Sequence, residues 1–100
     1  MKNLNSSQRS YLKGQAHHLK PVIYIGKNGL KEGTYNAIQT ALEARELIKI
    51  KFREFKEDKQ EISDKIVTDT LSFLVGIIGH TLIIFKQNLE LEKQKYKLPQ

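Results

Sequence analysis

The chain has 100 residues, with seventeen lysines and arginines against eleven aspartates and glutamates, no cysteine and a net charge of +6. This length predicts one small domain with a single modest core, and the missing cysteine excludes disulfides, thiolate chemistry and cysteine-ligated zinc. Residues 1–56 carry eleven basic and four acidic side chains (+7), whereas residues 57–100 carry six and seven (−1). The basic first part favours a polyanionic partner, with a surface that serves only solubility as the alternative.

Hydropathy gives no sign of a membrane segment. The longest apolar stretch, from Phe73 to Ile78, is too short to span a bilayer, and the first residues lead into a polar helical pattern without an apolar segment. We therefore expect a soluble, cytoplasmic protein.

The first predicted element is a helix that ends at about Ala16. Ser6 or Ser7 can cap its N-terminus, because a serine hydroxyl accepts a hydrogen bond from the first turn. Tyr11 and Leu12 are predicted to face inward.

A short strand and a second helix follow. Pro21 disfavours helix before it, and the apolar run from Pro21 to Ile25 predicts a strand that is covered on both faces. The second helix begins near Leu30, and one stripe at helical spacing is marked by Tyr35, Ile38, Ala41, Leu42 and Arg45.

The segment from Leu47 to Phe55 alternates between apolar and charged residues, which is typical of a strand with one buried and one cationic face. Ile48, Ile50 and Phe52 lie on the predicted buried face. The predicted cationic face comprises Leu47, Lys49, Lys51, Arg53 and Phe55.

The remaining pattern predicts a third helix and a hairpin. The third helix has apolar residues from Ile62 to Leu74. Val75 to Ile78 and Thr81 to Lys86 are predicted strands, joined at a tight turn in which Gly79 takes positive φ. The fold is therefore an α/β domain in the order α-β-α-β-α-β-β, with a four-stranded mixed sheet and packed helices. Residues 1–88 form this domain, and residues 89–100 form a tail that is docked or partly disordered.

The loop Gly26-Lys27-Asn28-Gly29 is the first candidate site. Two glycines at this spacing, between a strand and a helix, are expected to adopt positive φ and to allow close approach of a ligand. The first N–H groups of the following helix point toward such a ligand. The same spacing clamps a nucleotide backbone in KH domains, whereas the alternative is an ordinary turn.

Several strings in register resemble the CRM domain family, whose stand-alone bacterial members are the YhbY-like proteins. The matching stretches are Leu12–Val22, Ile25–Leu30, Ala41–Glu43, Glu46–Lys51 and Ile78–Leu82. The chain departs from the family pattern at Arg45, where histidine is common, at His80, where lysine is frequent, and at Phe85-Lys86, where Tyr-Arg is usual.

The resemblance implies an RNA-binding domain similar in fold to the C-terminal domain of the third bacterial translation initiation factor. It also implies the absence of enzymatic activity and of any cofactor. Family members associate with precursors of the large ribosomal subunit, so structured ribosomal RNA is the expected partner and assistance in ribosome assembly the expected function. A basic protein-interaction module and a general RNA chaperone without a fixed ribosomal site are the alternatives.

The candidate RNA-binding residues are the loop and a set of basic side chains that could follow a phosphate backbone beside it. They are Gly26, Lys27, Asn28, Gly29, Lys13, His17, Lys20, Lys31, Lys49, Lys51 and Arg53. Taken alone, each lysine is explained equally well as a solvated surface charge or as an RNA contact.

Metal binding and catalysis find less support in the sequence. His17 and His18 are adjacent, so on a helix their side chains point in different directions, and His80 lies far away along the chain. No spacing brings a nucleophile, a base and an orienting group together. We therefore expect neither a metal site nor an enzyme.

Overall fold

A computed structural model of the chain describes residues 3–100. Its helices are α1 (Ser6–Ala16), α2 (Glu32–Arg45) and α3 (Lys59–Thr70), and its strands are β1 (Ile23–Ile25), β2 (Leu47–Phe52), β3 (Phe73–Ile78) and β4 (Thr81–Phe85). Single 3-10 turns occupy Lys56–Asp58 and Leu91–Lys93. The α-β-α-β-α-β-β order is the predicted one. Within the described residues, every helix is too short or too polar to cross a lipid bilayer.

The four strands form the predicted mixed sheet, and their order within it is β1-β2-β4-β3. β1 pairs with β2 in parallel, and the other two pairings are antiparallel. The expectation that β1 is covered on both faces is wrong. β1 is an edge strand, and α1 packs on the other three strands, so Ile25 is buried beneath α2 whereas Tyr24 is 47% exposed.

Helices α2 and α3 pack on one face of the sheet. Their buried side chains meet those of β1, β2 and β4, in a cluster formed by Ile25, Ile38, Leu42, Ile48, Ile50, Phe52, Ile66, Leu82 and Ile84. Ile48, Ile50 and Phe52 thus lie on the buried face predicted for β2.

Helix α1 and the end of the chain pack on the opposite face. A second buried cluster lies there, formed by Leu4, Leu12, Ala16, Leu47, Val75, Ile83 and Phe85. The sequence predicted one core, but a sheet with helices on both faces buries apolar side chains on both. Leu47, predicted on the cationic face, is 1% exposed for this reason.

The predicted ends of two helices need correction. The N-cap of α1 is Asn5, whose side-chain oxygen accepts the N–H of Gln8 at 2.8 Å, so neither serine is the cap. Helix α3 ends at Thr70 because Leu71 adopts a left-handed conformation (φ +55°). Leu74, predicted on this helix, therefore lies in β3.

Three loops meet at the end of the sheet where β1 and β2 terminate. The N–H of Arg53 donates to the carbonyl of Ile25 at 2.9 Å, and the N–H of Phe52 donates to the carbonyl of His80 at 2.8 Å. His80 belongs to the β3–β4 hairpin, where Gly79 has φ +59° as predicted. The glycine loop after β1, the segment after β2 and the hairpin turn are thereby neighbours.

The segment that follows β4 lies against the α1 face. The ring of Tyr96 meets the ring of Phe85 edge to face, with centroids 6.2 Å apart. Leu98 packs on the second cluster, and the side-chain amide of Gln8 in α1 donates to the carbonyl of Pro99 at 3.0 Å.

Candidate nucleic-acid interface

The glycine loop is a closed β-turn. The N–H of Gly29 donates to the carbonyl of Gly26 at 3.0 Å, which leaves Lys27 and Asn28 exposed at the tip. Gly29 has φ +63°, as expected, but Gly26 does not lie in the left-handed region, so the expectation for Gly26 is wrong. Neither central residue, Lys27 or Asn28, is left-handed, so the turn itself needs no positive φ, and only Gly29, the last residue of the turn, uses the conformational freedom of glycine.

The N-terminus of α2 opens beside this turn. Its N-cap is Lys31, whose side chain contains no acceptor, so the described structure has no side-chain cap on the first turn. The hydroxyl of Thr34 accepts the N–H of Lys31 at 3.3 Å and approaches the carbonyl of Gly29 at 3.4 Å. This contact fixes the uncapped helix end to the loop, and the first-turn N–H groups form a positive end of the helix dipole.

A cleft of 320 Å³ lies between α1 and the open part of the sheet. Four of the predicted binding residues line it, namely Lys13, His17, Lys49 and Lys51. Pro21, Ile78, Thr81 and Ile83 complete its walls. Helix α1 covers the other end of this sheet face, so the cleft gathers cations from two elements distant in sequence.

Two contacts position the lysines of the cleft. The ammonium of Lys49 donates to the carbonyl of Leu19 at 3.0 Å, which ties β2 to the end of the α1 segment. The stem of Lys13 crosses β3 at Gly76, where an added Cβ would come within 2.8 Å of the Lys13 Cε atom. The absent side chain at Gly76 therefore provides the path along which Lys13 reaches the cleft.

An arginine–tyrosine stack lies between the cleft and the loop. The guanidinium carbon of Arg53 lies 4.2 Å from the centre of the Tyr24 ring, a cation–π geometry. Tyr24 pairs in register with Lys51, so the two side chains share one face of the sheet. Tyr24 precedes Gly26 by two residues, so the stack lies on the sheet face of Lys51 and next to the start of the loop.

The hairpin turn adds cations that the sequence analysis did not select. The Lys59 ammonium donates to the carbonyl of Gly79 at 2.6 Å and lies 3.4 Å from Nδ1 of His80. Loss of surrounding water lowers the pKa of His80 below its ordinary value, and the charges of Lys59, Lys56 and Lys51 lower it further. The sequence predicted the hairpin turn that carries His80, but the pairing of β4 with β2, which brings this turn to the end of the cationic strand, has no local signal.

Lys20 and Lys31 lie outside the cleft, as do the loop residues and Arg53. Lys20 lines a different cleft of 680 Å³, together with Arg45 and Tyr96, on the side of the C-terminal segment. Lys31 lies at the start of α2 beside the glycine loop. The predicted set therefore divides into a loop group, a cleft group, the stacked Arg53 and a separate Lys20.

The two histidines at the end of α1 contact each other. The rings of His17 and His18 meet edge to face with centroids 5.1 Å apart. Across residues 3–100, the structure contains no group of three or more histidine, cysteine, aspartate or glutamate side chains that could hold a metal ion.

The fold and site together define a small α/β domain with a glycine-bounded loop after an edge strand and a basic cleft on the sheet face beside it. The chain belongs to the CRS1 / YhbY (CRM) domain family, whose model matches residues 4–86. It is 42% identical over 100 residues to a Haemophilus influenzae protein named RNA-binding protein, covering 99% of this chain and 98% of that one. It is 38% identical over 88 residues to the Bacillus subtilis protein named Probable RNA-binding protein YqeI, covering 87% and 92%.

The same fold occurs in a solution structure from Staphylococcus aureus. That protein, described as a candidate RNA-binding protein, superposes with a TM-score of 0.79 at 34% sequence identity, covering 96% of this chain and 99% of the other. The family and the names of these relatives point to RNA-binding proteins rather than enzymes.

Proposed function

We propose that this protein binds structured RNA through the Gly26–Gly29 loop and the adjoining basic cleft. The observation that carries the proposal is the convergence of Lys13, His17, Lys49 and Lys51 in one cleft, beside an exposed stack of Arg53 on Tyr24. The names of the Haemophilus and Bacillus relatives support RNA as the polyanion.

Each part of the surface has a distinct role in this proposal. At the loop tip, the Lys27 ammonium and the Asn28 amide contact phosphate and ribose oxygens, while the uncapped N-terminus of α2 favours the negative charge. The cleft lysines and Arg53 extend the contact along the backbone. These groups position RNA and perform no covalent chemistry on it.

The test is a loop variant, Lys27→Asp with Asn28→Asp, measured by filter binding and thermal melts on the same preparations. Both side chains are exposed, so the melting temperature should stay near that of the parent while RNA binding is lost. The matched control is Lys97→Asp with Gln100→Asp, which makes the same charge change on exposed residues of the C-terminal segment. Parental affinity in the loop variant would show that the loop is only a turn.

Salt dependence tests the electrostatic part of the proposal. Because the contacts are mainly to phosphate, the logarithm of the RNA association constant should fall linearly with the logarithm of salt concentration, by roughly 0.7 to 0.9 per phosphate contacted. In the Lys49→Gln variant, the magnitude of this slope should decrease by no more than the amount expected for about one phosphate contact. A slope near zero would remove the phosphate track from the proposal.

We further propose that the RNA partner is ribosomal RNA in precursors of the large subunit, in the cytoplasm, where the protein assists assembly. The protein should then sediment with immature large subunits in low-salt sucrose gradients and be depleted from translating ribosomes. Sedimentation only in the soluble fraction would favour a protein-interaction module. Strand-annealing activity without a footprint on ribosomal RNA would indicate a general RNA chaperone.

A further inference from the structure

We propose that the ring of Phe55 is a stacking position for an unpaired base of the RNA held at the Gly26–Gly29 loop. The proposal rests on the function proposed above and specifies the form of RNA that the site takes. The element at the loop would be single-stranded or bulged, not a continuous duplex.

The first observation is where the Phe55 ring lies. It is 42% exposed, yet it contacts the loop directly, since a Cβ built on Gly29 would lie 3.5 Å from its Cε2 atom and 3.7 Å from its Cζ atom. One edge of the ring is therefore fixed against the loop backbone while much of its surface faces solvent. An aromatic face at such a position is available to a second planar group.

The second observation is the backbone that presents the ring. Phe55 adopts a left-handed conformation with φ +56° and ψ +35°, which costs free energy for a bulky residue. Adjacent hydrogen bonds impose this conformation. The N–H groups of Arg53 and Glu54 both donate to the carbonyl of Ile25, and the N–H of Asp58 donates to the carbonyl of Phe55 at 3.0 Å. The ring is thus held outward by a fixed turn.

The third observation is the charge around the ring. Lys27 occupies the turn that Gly29 closes, Arg53 lies two residues before Phe55 and Lys56 directly after it, with Glu54 the one carboxylate between them; all four are exposed. Proteins that bind single-stranded nucleic acid combine a basic track for the backbone with aromatic rings for the bases. A phosphate held at the loop would bring its own base or the next one over the ring. Bases inside a duplex are stacked on each other and cannot make this contact.

The Phe55→Trp variant tests the contact directly. The chain contains no tryptophan, so the introduced indole is the only one and its fluorescence reports stacking at this position. The probes are a short RNA hairpin with an unpaired uridine loop, the same hairpin with abasic sugars in the loop, and a blunt RNA duplex. Fluorescence should be quenched by the first RNA and not by the other two.

Affinity measurements on Phe55→Leu separate stacking from structure, because leucine keeps apolar cover on Gly29 but has no aromatic face. Affinity for the uridine-loop hairpin should fall about five- to a hundred-fold, with affinity for the abasic hairpin and the duplex unchanged. Leu71→Ala is the matched control, since Leu71 is also an exposed apolar residue at positive φ, at the end of α3. It should bind all three RNAs like the parent.

The outcomes distinguish this proposal from the one on which it rests. If the loop aspartates abolish binding while Phe55→Leu binds the uridine hairpin like the parent, RNA binding stands and the stacking position is wrong. An equal loss on the abasic hairpin would also overturn it, because the ring would then act only on the loop structure. If the parent binds none of the RNAs, both proposals fail.

Discussion

The carboxylate of Glu46 accepts the backbone N–H of Asn88 at 2.6 Å. Its other oxygen accepts the backbone N–H of Lys95, also at 2.6 Å, and Glu46 is 1% exposed. A buried carboxylate requires such donors, and both come from the main chain of the segment after β4. Glu46 therefore holds that segment against the domain through the segment's main chain. These two hydrogen bonds do not depend on which side chains the segment carries.

Replacement of Glu46 tests this attachment. In Glu46→Gln an amide N–H₂ would face a backbone N–H, so one hydrogen bond to a charged group is lost and the protein should lose about 1.5–3 kcal/mol of unfolding free energy. Trypsin should also cleave faster at Lys93 and Lys97. The control is Glu43→Gln on the exposed surface of α2, and equal behaviour of the two variants would contradict the account.

The two loop glycines should differ on substitution. Gly29→Ala places a Cβ at φ +63° and should cost about 1–2 kcal/mol. Gly26 lies outside the left-handed region and a Cβ there meets no atom within 4 Å, so Gly26→Ala should change stability by less than about 0.5 kcal/mol. Urea unfolding of both variants measures the difference, and equal losses would show that the turn depends on both glycines.

Local patterns predicted most of the fold because they report which side chains are buried and where the chain turns. The alternation through Ile48 and Ile50 located β2, and Gly79 located the hairpin. Leu47 and Tyr24 were misjudged because α1 covers only one end of its sheet face, which is a tertiary arrangement without a local signature. Leu71 was misjudged because a leucine rarely adopts the left-handed conformation that ends a helix.

The sequence identified the loop and the basic strand but could not tell which lysines converge. Lys13 and Lys20 are equally basic and close in sequence, yet α1 directs Lys13 into the cleft whereas Lys20 lines another. That difference depends on how α1 crosses the sheet. Gly76 contributes to it through the absence of a side chain, and composition gives no indication of such a contact.

Gly76→Ala tests whether that space matters. The new Cβ would come within 2.8 Å of Lys13 Cε, but this is the far end of a flexible side chain, which can move at small cost. Stability should therefore change by less than about 1 kcal/mol, since alanine is also the less flexible residue in a strand. RNA affinity, measured by filter binding, should fall, but by no more than in Lys13→Ala, because the displaced ammonium keeps its charge. An unchanged affinity in Gly76→Ala, beside a loss in Lys13→Ala, would show that the displaced ammonium still reaches the RNA.

The titration of His80 should report the charge at the hairpin turn. Its pKa is lowered from 6.5 by loss of surrounding water and then by nearby lysines, of which Lys59 comes first. Because the folded state binds this proton less readily than the unfolded state, the contribution of His80 to stability is present above pH 6.5 and declines as the pH falls toward its folded pKa.

NMR titration of the imidazole C–H signals measures this pKa. Lys59→Gln should raise the pKa of His80, and so should added salt, because both weaken the repulsion of the imidazolium. Neither should restore the full ordinary value, since the loss of water remains. Lys65→Gln is the control, as Lys65 lies on the same helix but pairs with Asp69 at 3.3 Å. A pKa of His80 that is the same in Lys59→Gln as in the parent, at low and high salt alike, would show that the lysines at this turn do not determine its charge.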